Sequence, residues 1–285
     1  MLTYAINNID YLVIGRFLNA TQLGYYERAF NLMSLPEKRT SKAVNDVLLS
    51  SFSRLQDQDE RLVRALQKVI TSVAVIAYSV SIWFYFVAPA LITVLYGPKW
   101  IPSIRPLQIM CISGFIYTFT RLLNPLIYAR GLVSQNAARQ LIYFLFLSGA
   151  VLVGVRGGIV GVAWAIVVSS LFYLALNVSL ILRYIPIRLH ELFLAQKSAM
   201  IYGLLQIGML ELYLHLTRNL VAPDGPVSLF AISAISALAF VGGHLLFRFK
   251  DVQGIFNELF GELITMLRKV PGLGWLPCSV QQPGR

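Results

Sequence analysis

Between Asn7 and Ala65 the sequence NNIDYLVIGRFLNATQLGYYERAFNLMSLPEKRTSKAVNDVLLSSFSRLQDQDERLVRA sets Asp10, Arg28, Glu37, Lys38, Arg39 and Lys42 among Leu, Val and Phe. Inside a membrane such charges must face a protein interior or a water-filled cavity. Arg28 and Arg39 are eleven positions apart, about three helical turns, so they can share one face. Lys38 and Lys42 are an i,i+4 pair on a neighbouring face, which fits a wet, cationic stripe. Arg121 adds a further guanidinium within a later apolar stretch. An arginine holds its charge and offers a planar fork for bidentate hydrogen bonds to anionic groups. Asp10, in a modest apolar stretch, could take up a proton or a sodium ion; Asp46 has a weaker claim. The plainer alternatives are ion pairing with Glu27 or Glu37 and snorkelling for the bases, and pairing with Arg16 or an Asn contact for Asp10.

No constellation for bond-breaking chemistry accompanies these residues, and no enzyme is expected. His190, His215 and His244 share no ligand spacing, and Glu211 with His215 is a lone i,i+4 pair rather than a metal site. The run GVRGGIVG at 154–161 lacks the Lys-Ser/Thr of a phosphate-binding loop and reads as a tight helix–helix turn. Gly157 and Gly161 match GxxxG but straddle that turn, which weakens them as a packing motif. Tyr25, Tyr26, Tyr117 and Tyr128 could stack on sugars, although tyrosines at the membrane interface are commoner.

The elements that must position these groups are membrane helices. Of 285 residues 57% are hydrophobic and only 13% charged, about half the charged fraction of an ordinary soluble domain. Long apolar runs, rather than short alternating ones, exclude a barrel. The net charge of +11 is read as basic loops against anionic lipid rather than as nucleic-acid binding. Cys111 and Cys278 are too few and too far apart for a disulfide framework or metal site. No basic leader or small-residue cleavage site precedes TYAINNIDYLVIG, so insertion is expected to rely on the apolar helices themselves.

Spanning takes about 20 apolar residues, and the sequence predicts about eight such helices. They fall near Leu2–Leu18, Leu23–Ser50 (with a kink at Pro36), Leu66–Tyr96, Arg105–Tyr128, Ala137–Val155, Ile159–Leu182, Ser198–Leu216 and Val227–Phe247. Connectors after even-numbered helices hold Arg54, Arg61, Arg64 and Lys68, then Arg130 and Arg139, then Arg183, Arg188 and Lys197. The positive-inside rule makes that end cytoplasmic, with both termini there. Residues 251–269 carry an amphipathic stripe expected to lie along the cytoplasmic interface, and 271–285 read as a loose end.

IDYLVIGRFL, LGYYERAFNLMSLP, the connector FSRLQDQDERL and the turn LYGPKW occur here in that order. As a set they resemble the middle of polysaccharide-transporter flippases of the O-antigen and colanic-acid type, within the superfamily that includes lipid II flippases and multidrug extruders. The resemblance extends to about Lys197 and implies an all-α polytopic bundle. It implies a second lobe of six helices over 1–182, two appended helices over 183–247 and a tail over 248–285. It implies movement of an undecaprenyl-pyrophosphate-linked oligosaccharide across the bacterial inner membrane by alternating access. Arg28, Arg39, Lys42 and Arg121 would then line the path of the phosphates and glycan, and Asp10 would take a coupling proton or sodium ion, with no other cofactor. The partners implied are the lipid-linked oligosaccharide, membrane lipid, and either an amino-terminal lobe missing from this chain or a second copy, the first being favoured. A multidrug-type extruder is disfavoured by the basic stripe; a non-transporting fragment is the other alternative.

Overall fold

The computed structural model describes residues 2–185, 187–217 and 224–247; the side chains of 36–47, 193 and 243–247 lie outside that description. The described residues form helices α1 (Leu2–Ile6), α2 (Ile9–Phe17), α3 (Ala20–Arg54), α4 (Asp59–Tyr96), α5 (Ile104–Ala129), α6 (Val133–Gly154), α7 (Gly158–Tyr184), α8 (Leu189–Leu194), α9 (Lys197–Thr217) and α10 (Pro226–Phe247). The fold is all-α. The predicted first span is broken rather than continuous. At Asn7 and Asn8 the chain leaves the helix, and the Asn8 Nδ2 donates to the Tyr4 carbonyl at 2.8 Å. Short amide side chains compete for backbone partners and favour such breaks. The short α8 carries no apolar run long enough to register as a span. The amphipathic stripe at 251–269 lies outside the described residues.

Helices α3 and α4 have 35 and 38 residues, about 50–60 Å at 1.5 Å per residue, far more than a hydrocarbon core of about 30 Å. Their excess lies at the basic end of the bundle, where Arg54, Asp59, Glu60 and Arg61 flank the connector. There Arg130, in the turn between α5 and α6, pairs with Asp59 at the start of α4. By length and composition alone, residues 59–96, the hairpin 133–184 and residues 197–217 qualify as membrane spans. Helices α3 and α5 carry too many polar groups to qualify unaided, and α5 is packed among α3, α4 and α7.

Helix α5 is the centre of the bundle, packed on α3, α4 and α7, while α6 pairs with α7 and covers α1 and α2. Chain neighbours α3 and α4 barely touch, because α5 sits between them. Two large clusters dominate the core, with two smaller ones joining α4 to α9 and α10. One large cluster, near the α4–α5 turn, gathers Ile14, Tyr26, Ala88, Met110, Tyr143 and Val162. The other, at the basic end, gathers Phe52, Leu62, Leu66, Leu126 and Ile181.

Two glycine-dependent turns fix the helix ends opposite the basic connectors. Gly97 ends α4 with φ of +87° and Gly158 opens α7 with φ of +66°, a region that side chains with a Cβ enter only under strain. The α6–α7 hairpin closes as a tight turn, as its glycine run predicts. The pair in contact is Gly154 with Gly161, however, while a Cβ on Gly157 would meet nothing within 4 Å.

Helices α9 and α10 pack on each other and on α4. Polar bonds stitch them on: Gln206 Nε2 donates to the Ser79 carbonyl at 3.1 Å, Trp83 Nε1 to Ser233 Oγ at 3.1 Å, and Tyr78 Oη to Gln196 Oε1 at 3.0 Å. In lipid, where apolar burial gives little preference for one helix over a lipid tail, such bonds and close packing hold helices together.

Candidate functional site

Asp10 is in the first turn of α2 and points into the protein, 4% exposed. Its Oδ2 accepts a hydrogen bond of 2.5 Å from the Tyr26 hydroxyl on α3, and its Oδ1 has no partner. The partner is thus a phenol, and not the Arg16 or asparagine of the plainer alternative. Tyr26 itself is fully buried, so it is neither a sugar platform nor an interface tyrosine. Its ring packs with Phe30 and edge-on to Tyr11, which closes the carboxyl off from lipid. A buried carboxyl whose side-chain partner is a neutral phenol rather than a base has the chemistry to exchange a proton or accept a small cation.

Arg28 lies two residues further along α3 and is exposed. Its guanidinium carbon is 5.5 Å from the Trp100 ring centroid and 5.8 Å from that of Tyr96. Tyr25 meets Trp100 edge-on at 5.7 Å. The LYGPKW turn therefore serves as an aromatic seat for Arg28. The 3₁₀ segment Pro98–Ser103 after Gly97 brings Trp100 back over α3. Such contacts contribute about 0.5–1 kcal/mol when exposed. Trp100→Ala should lower the melting temperature of the detergent-solubilised protein by a few degrees, and Trp100→Phe by less. Equal melting for all three proteins would mean that the seat does not hold.

Arg121 is half-buried on α5, near the Tyr173 hydroxyl of α7. It is the eighteenth residue of a helix that begins beside the Trp100 turn, so it lies about 25 Å deeper by helical rise than Arg28. The structure does not bring Arg28 and Arg121 together. The backbone at Arg39 and Lys42 continues α3 unbroken, and their side chains are among those outside the description.

A groove of about 380 Å³ opens between α4, α5 and α9, lined by Tyr78, Ile82, Phe86, Phe115, Ile207 and Glu211 among others. Neither Arg28 nor Arg121 lines it, and its walls suit a hydrocarbon rather than a phosphate. Among the described residues no group of three or more His, Cys, Asp or Glu could hold a metal ion.

Residues 1–105, which include Asp10, Tyr26, Arg28 and Trp100, match the sequence profile of a family described as "Polysaccharide biosynthesis protein". The lipopolysaccharide biosynthesis protein WzxC of Escherichia coli is 26% identical over 163 residues, covering 57% of this chain and 33% of the relative. The teichuronic acid biosynthesis protein TuaB of Bacillus subtilis is 25% identical over 167 residues, with 57% and 34% covered. The fold is similar to that of the lipid II flippase MurJ in an inward closed conformation, with a TM-score of 0.69 at 12% identity, covering 87% of this chain and 51% of that one. The chain thus spans about a third of the length of these curated relatives and half that of the flippase. It is an all-α polytopic membrane protein whose first 105 residues match that polysaccharide biosynthesis family.

Proposed function

We propose that this chain contributes one lobe of an exporter that flips an undecaprenyl-pyrophosphate-linked glycan across the bacterial inner membrane. The observation that carries the reading is a conjunction: relatives in polysaccharide biosynthesis by sequence, and a flippase by fold. The lobe rocks against a second one, an amino-terminal lobe or another copy, so that the cavity between them faces each side in turn. Both termini lie in the cytoplasm, with the basic connectors at that face. Arg28, Arg39, Lys42 and Arg121 bind phosphate and sugar oxygens at successive depths of the path, and Asp10 takes the coupling proton. The apolar groove beside α9 accommodates lipid tail while the head group crosses.

Deleting the encoding reading frame in the source bacterium tests this. Surface polysaccharide should fall at least tenfold while its lipid-linked precursor builds up on the cytoplasmic face, and supplying the reading frame again should restore both. Precursor reaching the outer face at the parental rate would overturn the reading, as would loss of the polysaccharide without precursor build-up.

A further inference from the structure

Glu211 is a carboxylate on a membrane helix with no counter-charge among the described residues. It is the fifteenth of the 21 residues of α9 and is exposed, about 9 Å by helical rise short of the helix end at Thr217. Among the described residues it has neither a hydrogen-bond nor an ion-pair partner. His215, one turn further on, is exposed as well, and the two form no ion pair. A charge at that depth is costly against hydrocarbon, and it is retained where it meets an opposite charge. Glutamate also lacks the long stem by which lysine and arginine reach the interface.

What Glu211 faces is the groove between α4, α5 and α9. Tyr78, Ile82 and Tyr85 follow at i, i+4 and i+7 on α4, Cys111 and Phe115 at i and i+4 on α5, and Ile207 and Glu211 likewise on α9. That spacing puts each set on one face of its helix. At one end the Tyr78 and Phe115 rings meet with centroids 3.9 Å apart. At the other, Tyr85 meets Phe86 edge-on at 5.4 Å, and Gln108 Nε2 donates to the Tyr85 carbonyl at 3.2 Å. Glu211 belongs to this second end. Its neighbour Leu210 packs with Phe86, whereas a Cβ on Gly203, two turns earlier, would meet Tyr78 and Ile82. Among the described residues that line the groove, Glu211 alone is charged.

We propose that this groove binds a lipophilic organic cation, an ammonium or phosphonium carried on apolar groups, with Glu211 as its counter-charge. The volume of about 380 Å³ falls within the range of about 300–1,000 Å³ usual for small-molecule sites. Tyr78, Tyr85, Phe86 and Phe115 give the substituents apolar contact and the cation the negative faces of their rings. A carboxylate set among apolar walls also attracts a cation more strongly than one in open water. An anion meets the opposite: no base lines the groove among the described residues, and Glu211 repels it. The proposal goes beyond the export reading, which asks of this groove only that it take a hydrocarbon tail.

Tetraphenylphosphonium and tetraphenylborate, ions of nearly the same shape and opposite charge, provide the test. Their binding is measured to the purified full chain in nanodiscs of phosphatidylcholine, with protein-free discs subtracted. The phosphonium should bind about tenfold or more tighter than the borate, and Glu211→Gln should remove that preference by weakening the phosphonium alone. Ile207→Trp, which fills the groove, should weaken phosphonium binding to a similar degree. Asp224→Asn, an exposed acid outside the groove, should match the parent. Equal binding of the two ions would give the groove to a hydrocarbon tail and overturn the proposal. Parental phosphonium binding in Glu211→Gln or Ile207→Trp would overturn it too, as would loss of both ions alike in Glu211→Gln. No phosphonium binding, with a fall in oligomer mass on Glu211→Gln, would assign the groove to a second copy of the chain instead. Export is not read in any of these assays, so a failure here leaves the export reading standing, and the reverse.

Discussion

Gly161→Ala should abolish accumulation of folded protein. A Cβ built on Gly161 lands on the Gly154 carbonyl oxygen, and one built on Gly154 would lie 2.7 Å from the Gly161 oxygen and 2.9 Å from the Ala165 Cβ. The obstacle is backbone on both sides, so no rotamer change relieves it. The helices can only separate, and α7 holds both α5 and α6 in place. Overpacking a core against side chains costs about 1–3 kcal/mol; against rigid backbone, about 3 kcal/mol or more is expected here. Gly149 is the control, because it lies on α6, the helix of Gly154, and a Cβ there meets nothing within 4 Å. Gly149→Ala should equal or exceed the parent in detergent thermal melts, since alanine favours helix by about 1 kcal/mol over glycine. If Gly161→Ala and Gly149→Ala melt alike, the close contact between α6 and α7 is not a source of stability.

That contact also marks how far the sequence alone could go. The run GVRGGIVG identified a tight turn, because glycine is the residue that tolerates both positive φ and close approach. It could not say which two glycines would meet, since that depends on how α6 and α7 cross. Helix positions were legible for a similar reason. Apolar runs from Leu66, Ile159 and Ser198 end at glycine, proline or charge, and the helices end within a few residues of the predicted limits. The break at Asn7-Asn8 was hidden by the apolar residues on both sides, although paired asparagines are themselves a breaker signal. Helix α4 begins seven residues earlier than the apolar run, because Asp59 and Glu60 are favoured in a first turn and need no lipid.

Asp10 was legible as a lone carboxyl in an apolar stretch, but its partner was not. Tyr26 reaches it across a helix junction sixteen residues away, a separation that no helical period links. A signal existed in the stripe Tyr26, Ala29 and Leu32, all buried at i,i+3 spacing on α3, which assigns the phenol to the protein interior instead of the interface. Arg28 was legible as a charge set among apolar residues, and Trp100 as part of a landmark turn. That the turn exists to seat the cation follows only once the 3₁₀ segment folds back on α3.

Asp10→Asn should reduce export at least a hundredfold while leaving the fold intact. Asparagine keeps the shape and offers Tyr26 an acceptor oxygen in place of Oδ2, so the 2.5 Å contact can survive as an ordinary neutral hydrogen bond. What disappears is the ability to take and release a proton. A transporter driven by that cycle then loses its driving force, although it can still bind its cargo. Tyr26→Phe separates this from a packing role. It keeps the ring against Phe30 and Tyr11 and removes the donor, leaving both carboxylate oxygens without a partner. The expected result is a loss of about 1–3 kcal/mol of stability, with export impaired through Asp10 rather than lost outright. The two variants therefore differ on the melting curve, where only Tyr26→Phe loses stability, and in rank on export. Surface glycan and cytoplasmic-face precursor, measured at matched protein levels, decide it. Export by Asp10→Asn at the parental rate would remove this carboxyl from the coupling step and leave it as a buried contact between α2 and α3.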